Sequence, residues 1–300
     1  MSVLQVHLQE SNEIRFSRKH IDQKIRKEIQ SNPDMMEKVA HGIRLINEYR
    51  SKQYYSSKNI RIAQLSGMDM GKVVLDLFVG ISYSQQEELF TSVTGQLAGR
   101  LQLDDKKDAI TTVAELVAVL ALTDAFDIVK ADKFASLMIQ SYIPLSKELI
   151  GYINNSLYLP PMVCKPLELN SNYNNGHLTH NDSLILGKGN HHDGDICLDV
   201  LNTMNSVALK LDTQFLSTVE EVPNHELETD DQKEQWQQFK EQSYMFYKLM
   251  VKQGNQFWFT HKVDKRGRIY AQGYQITTQG SSFKKASVEL ANEELVNGVP

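Results

Sequence analysis

Five consecutive residues, Asp264-Lys265-Arg266-Gly267-Arg268, combine side chains that grip a phosphate backbone with a residue that lets the chain turn sharply. A guanidinium group presents a planar fork that donates two parallel hydrogen bonds to phosphate oxygens, and glycine tolerates the backbone angles of a tight turn. Asp264 is suited to orienting one arginine or accepting from turn amides, and Tyr270, just past the turn, to stacking on a base. Between Lys248 and Lys285, eight cations (Lys248, Lys252, Lys262, Lys265, Arg266, Arg268, Lys284, Lys285) stand against one acid, Asp264, although the whole chain carries a net charge of -5. Such a local reversal can face a polyanion, or it can be a solvated basic surface. Taken alone, Asp-x-x-Gly-Arg is short enough to occur in ordinary surface turns.

Other residue clusters are weaker candidates. His191-His192-Asp193-Gly194-Asp195 has metal-ligating types, but adjacent side chains on a loop diverge, so the expectation is a solvated loop with Asp193 or Asp195 capping the following helix. Gly187-Lys188-Gly189 lacks the spacing of a phosphate loop and reads as a turn. Two cysteines, Cys164 and Cys197, are too few for a disulfide framework or a four-thiolate zinc site, which suggests a reducing compartment. The apolar run Leu116–Leu122 is far shorter than a membrane span, and the N-terminus has no basic-then-apolar signal pattern, so the expectation is an intracellular protein with no membrane partner. Arg15, Arg18, Lys19, Lys24, Arg26 and Lys27 alternate with acids and read as a solvated helix face.

The elements that must position these residues follow from periodicity. Ile21, Ile25 and Ile29 recur every fourth residue and predict helix, and the stretch from Val73 to about Ile153 reads as an apolar helical core with breaks at Gly80 and Asp104-Asp105. Within it, 111–131 reads as a buried helix despite Glu115 and Asp124. From Leu157 to Gly194, prolines, asparagines and glycines oppose helix and predict an extended connection. Val200, Leu201, Met204, Val207, Ala208, Leu211, Phe215 and Val219 predict one long helix ended by Pro223. A second helix should run from a Thr229 cap to Gly254, with Tyr244, Met245, Phe246, Tyr247 and Met250 as core. Beyond Gly254 the pattern predicts strand, tight turn, strand, then a short helix over about Phe283–Ala291. The fold class is mainly α with a small β component, divided as an N-terminal helical domain (1–155), a proline- and glycine-rich connector (156–194), a helical hairpin (195–253) and a C-terminal part (254–300) bearing the Asp-x-x-Gly-Arg turn.

The tract Trp258-Phe259-Thr260-His261-Lys262-Val263-Asp264-Lys265-Arg266-Gly267-Arg268-Ile269-Tyr270-Ala271 resembles the first palm motif of the single-subunit RNA polymerases of phages and mitochondria. Downstream, Gln279-Gly280, Lys284 and Leu290 are similar to the family's continuation into a short palm helix. Upstream, Leu159-Pro160-Pro161-Met162 with Lys165-Pro166 resembles the strand joining the promoter-side domain to the thumb. The helix beginning near Ile196, with Asn202, Asn205 and Ala208, resembles the thumb-entry helix. The likeness spans about residues 155–292; over 1–150 it rests on helical character and position only. It implies that 195–253 is the thumb and that 254–300 opens a right-hand palm. It also implies that Arg268 contacts the template or hybrid backbone, that Asp264, Arg266, Gly267 and Tyr270 form neighbouring template contacts, and that Lys284 and Lys285 lie close by.

Polymerase chemistry needs two carboxylates that hold two metal ions, and the family places both after this motif, together with the fingers. The sequence stops about thirty residues past Arg268, without room for them. Either the chain is an inactive relative, or a second polypeptide supplies the remaining palm and the fingers. The latter is the expectation: no catalytic residue in this chain, Mg²⁺ bound mainly by the partner subunit, Phe257, Trp258 and the terminal helix packed against that partner, and DNA template, nascent RNA and NTPs as ligands. Resemblance to phage enzymes implies the cytoplasm of an infected bacterial host. The alternative is a noncatalytic DNA-binding or recruitment factor derived from a polymerase fragment.

Overall fold

The computed structural model of the chain describes residues 2–101, 103–130, 136–156, 158–187, 190–292 and 298. Helices predominate and strands occur only in small sheets, as the periodicity predicts. None of the described helices is long and apolar enough to cross a membrane. Two compact units divide the chain: Arg18–Asn154 forms one, and Met1–Ser17 with Asn155–Pro300 forms the other. The first helix, α1 (Val3–Arg15), therefore belongs with the C-terminal unit, not with the 1–155 domain expected from sequence.

The Arg18–Asn154 unit contains α2 (Arg18–Ser31), α3 (Pro33–Ser51), α4 (Ser56–Ala63), α5 (Met70–Ile81), β1 (Glu88–Leu89), α6 (Phe90–Leu97), α7 (Lys106–Leu120), β2 (Phe126–Lys130), β3 (Leu137–Ser141) and α8 (Lys147–Asn155). Ile21, Ile25 and Ile29 are buried, which confirms the four-residue stripe, and the core they join is centred on α5. Gly80 does not break α5; a Cβ there would sit 2.0 Å from Leu97 Cδ2, so glycine permits a close approach of packed side chains. Asp105, by contrast, caps α7 by accepting from the Lys107 and Asp108 amides.

The wholly helical reading of 73–153 needs correction. β2 and β3 pair antiparallel, Phe126 opposite Ser141 and Ile128 opposite Ile139, and β1 joins the other edge of β3. Short apolar runs do not separate strand from buried helix, and here the antiparallel partner decides. Glu115 sits in an apolar helix because Arg61, itself buried, donates to it at 2.9 Å. The basic face of α2 is only partly solvated: Arg26 pairs with Asp76, and Arg18 lies 3.2 Å from the centre of the Tyr83 ring.

The other unit continues after α1 through a connector to α9 (Leu198–Asn205), β4 (Leu209–Leu211), α10 (Thr213–Thr218), α11 (Asp230–Lys252), β5 (His261–Val263), β6 (Ile269–Ala271), α12 (Ser282–Ala286) and β7 (Val288–Leu290). The helix expected over 200–219 is broken: Leu209 pairs with Phe257 and Leu290, and Leu211 with Val288, so strand pairing takes residues that periodicity had assigned to a helix. Val200, Val207 and Val219 are exposed, so the stripe is not one buried face. α11 forms as expected, with Thr229 and Gln232 closing a capping box and Gly254 left-handed just past its end. Phe246, Tyr247 and Met250 are core, while Tyr244 and Met245 are half-buried.

The terminal helix is shorter than expected because Val288–Leu290 extends to pair with β4. Phe257 is fully buried and Trp258 nearly so, both packed within this chain. Lys188 and Gly189 lie outside the described residues, as does Leu157.

Candidate nucleic-acid interface

The Asp-x-x-Gly-Arg residues form the tip of the β5–β6 hairpin. Gly267 N–H donates to the Asp264 carbonyl at 2.9 Å, Asp264 N–H donates to the Arg268 carbonyl at 2.9 Å, and Gly267 has φ +81°. This is a three-residue hairpin loop that ends on a left-handed glycine. The space around Gly267 is open, so only backbone strain opposes a side chain. Gly267→Ala is expected to cost about 1 kcal/mol, read as a lower urea midpoint in tryptophan fluorescence.

Asp264 organises the tip. One carboxylate oxygen accepts from the Arg266 and Arg268 amides at 2.8 and 3.0 Å, and the other accepts from Arg266 Nε and Nη2 at 3.0 and 2.7 Å. The Arg268 amide, then Arg266, pull its pKa down to about 2. Tyr270 Oη lies 3.4 Å from the same carboxylate. Asp264 thus both orients an arginine and satisfies turn amides. The Arg266 guanidinium is committed to it, whereas Arg268 is exposed and its guanidinium has no side-chain partner among the described residues.

Cross-strand register sets which side chains share a face. Lys262 lies opposite Tyr270, and Gln272 N–H bonds the Thr260 carbonyl, so Thr260, Lys262 and Asp264 share a face with Arg268, Tyr270 and Gln272. The opposite face carries His261, Val263, Ile269 and Ala271 towards the interior, His261 Nδ1 lying 2.8 Å from the buried Asn205 Oδ1. Gln279 protects the free edge of β6: its Oε1 accepts from Ala271 N–H at 2.9 Å and its Nε2 donates to the Ile269 carbonyl. Segment 184–186 covers the edge of β5, with Leu186 N–H on the Val263 carbonyl and Val263 N–H on the Leu184 carbonyl.

The basic run is less available than its composition suggests. Lys262 pairs with Asp182. Lys284 donates to the Tyr274 carbonyl at 2.7 Å and lies within about 5 Å of the Phe239 and Tyr274 ring centres, and burial lowers its pKa. It makes none of these contacts with the turn. Lys285, Lys265, Lys248 and Lys252 are exposed, the last two on α11. Of the seven candidates, the structure brings Asp264, Arg266, Gly267, Arg268 and Tyr270 together and uses Lys284 elsewhere; Lys285 is exposed on α12.

The His191–Asp195 loop does not cap α9. Its N-cap is Cys197, without a side-chain cap bond, while Asp193 accepts from Tyr173 Oη and Asn172 holds the His192 and Gly194 carbonyls at 2.7 Å each. No group of three or more His, Cys, Asp or Glu side chains among the described residues is placed to hold a metal ion.

Residues missed from sequence are Glu13, Asp182, Ser156 and the Tyr158–Tyr274 stack. Only the alternation Thr260-Lys262-Asp264, which puts these side chains on the arginine face, hinted that the site extends beyond the tip. Compared with family models and with curated proteins, the chain matches none.

Proposed function

We propose that this chain is the strand-holding part of a phage-type DNA-directed RNA polymerase, gripping template and RNA–DNA hybrid beside an active site completed by a second chain. The observation that carries the reading is the division of labour at the hairpin tip. Asp264 is consumed by Arg266 and the turn amides, which leaves Arg268 exposed, unpaired and held on a rigid turn. An unpaired guanidinium displaced from bulk solvent by a phosphate releases counterions and forms charge-assisted bonds without first breaking an internal pair. In this reading α9–α11 supply the thumb and the hairpin opens the palm, in line with the ordered resemblance over 155–292. In this reading Mg²⁺ would be held by carboxylates of a partner subunit that carries the remaining palm and fingers, where it would activate the attacking hydroxyl and stabilise the leaving pyrophosphate. NTPs and nascent RNA meet the complex there, in the cytoplasm of an infected bacterial host.

Arg268→Ala should reduce the log–log salt dependence of single-strand or hybrid binding by roughly 0.7 to 0.9. It should also cut elongation by the reconstituted two-chain enzyme by about 10-fold, the scale of one lost charge-assisted contact. An unchanged slope removes the role of Arg268. A changed slope with normal elongation would favour the noncatalytic DNA-binding or recruitment factor.

A further inference from the structure

A cavity of about 490 Å³ opens on the same face of the hairpin as Arg268 and Tyr270, lined by Ser156, Tyr158, Trp258, Lys262, Gln272 and Tyr274 among others. Its size lies in the range of small-ligand sites. Tyr158 and Tyr274 stack with ring centres 4.0 Å apart and planes 12° apart, yet each is 42% exposed. They form an aromatic wall open to solvent. Gln272, half-buried in the lining, offers an amide edge that can donate to or accept from a ligand. Lys262 is neutralised by Asp182, so the cavity has no spare lysine charge with which to draw a phosphate. A flat π face with a polar edge, and no requirement for negative charge, describes a nucleobase.

The strand geometry connects this cavity to the tip. From Arg268 to Gln272 is four residues along β6 and beyond, roughly 13 Å at strand rise, which a single strand spans in a few nucleotides. We propose that the cavity receives one unstacked nucleobase of the strand whose phosphate Arg268 holds. The proposal rests on the hairpin being a strand-binding face and adds to it a subsite roomy enough for one base.

The test uses the full chain and fluorescein-labelled single-stranded oligonucleotides, intact or with one abasic residue moved stepwise along the sequence. One abasic position should weaken binding about 10-fold, as loss of one base–aromatic stack does. Tyr158→Ala should weaken binding of the intact strand similarly and make the abasic series flat, while Tyr158→Phe, which keeps the ring, should bind as the wild type does. Tyr158 is exposed, so circular dichroism should show both variants folded. A flat abasic series in the wild type, with Tyr158→Ala binding normally, overturns the subsite even if Arg268→Ala still flattens the salt slope. An unchanged salt slope in Arg268→Ala overturns the hairpin reading instead. Competition by a free nucleoside monophosphate as strong as by the strand would also overturn the proposal, because the ligand would then be a free nucleotide.

Discussion

Glu13→Ala is expected to lower the stability of the unit built from Met1–Ser17 and Asn155–Pro300 by about 3 kcal/mol, one of the larger effects a single side chain can have. Glu13 is 2% exposed, and its carboxylate accepts from Leu178 N–H at 3.0 Å, from Thr179 N–H at 2.7 Å and from Thr179 Oγ1 at 2.6 Å. Gln9 Nε2 donates to it at 2.9 Å, and His177 and His180 lie at 3.3 and 3.7 Å. Burial alone would raise its pKa, but the hydrogen bonds from His177, His180, Thr179 and Gln9 hold it far below the usual carboxylate range. Truncation strands several donors, each costing about 1 to 3 kcal/mol if unsatisfied, and water reaching the exposed Thr179 offsets part of that. Glu13→Gln should not rescue, because an NH₂ group would face backbone donors. Both tryptophans, Trp236 and Trp258, lie in this unit, so fluorescence-monitored urea unfolding reads it selectively. A loss below about 1 kcal/mol would show that α1 is held by other contacts.

The second large effect is acid destabilisation of the same unit, beginning well above the carboxylate range. His261 is 6% exposed beneath the hairpin, and burial pushes its pKa from 6.5 down to about 4. Between these values the unfolded chain binds a proton that the folded one refuses. Stability is therefore fully present above about pH 6.5 and falls as pH drops towards 4, by about 3 kcal/mol in total. Glu13 acts in a lower window: its stabilisation is present above its ordinary value of 4.5 and is lost as pH falls below it. Urea midpoints at pH 8, 6, 5 and 4.5 should decline for the wild type, while His261→Asn, whose amide can still donate to Asn205, should flatten the decline above pH 4.5. An equal decline in the variant would assign the effect to other groups.

Much of the hairpin was legible because its information is local. Gly267 signals the turn, the aromatic and β-branched residues on either side signal strands, and the Asp-x-x-Gly-Arg spacing places Asp264 where it reaches two turn amides. The α11 cap at Thr229 and the isoleucine stripe of α2 were readable for the same reason, since a helix face is written within a few turns of sequence. The break of the predicted 200–219 helix was not. Leu209 and Leu211 satisfy helical spacing as well as strand alternation, and only Phe257 and β7, both distant in sequence, select the strand.

What the sequence by itself determined is thus the chemistry of the tip: a glycine bend, a carboxylate that closes it and an arginine carried beyond it. Tertiary structure alone decided which cations remain available, pairing Lys262 with Asp182 and drawing Lys284 to Tyr274, and it alone placed α1. That helix docks through Gln9, Asn12 and Glu13, which bond Val163 N–H, Gln253 and the 178–179 backbone. Hydrophobic periodicity records apolar burial and is silent on polar groups buried against partners more than a hundred residues away, because the hydrogen bonds that make such burial favourable exist only once those partners meet.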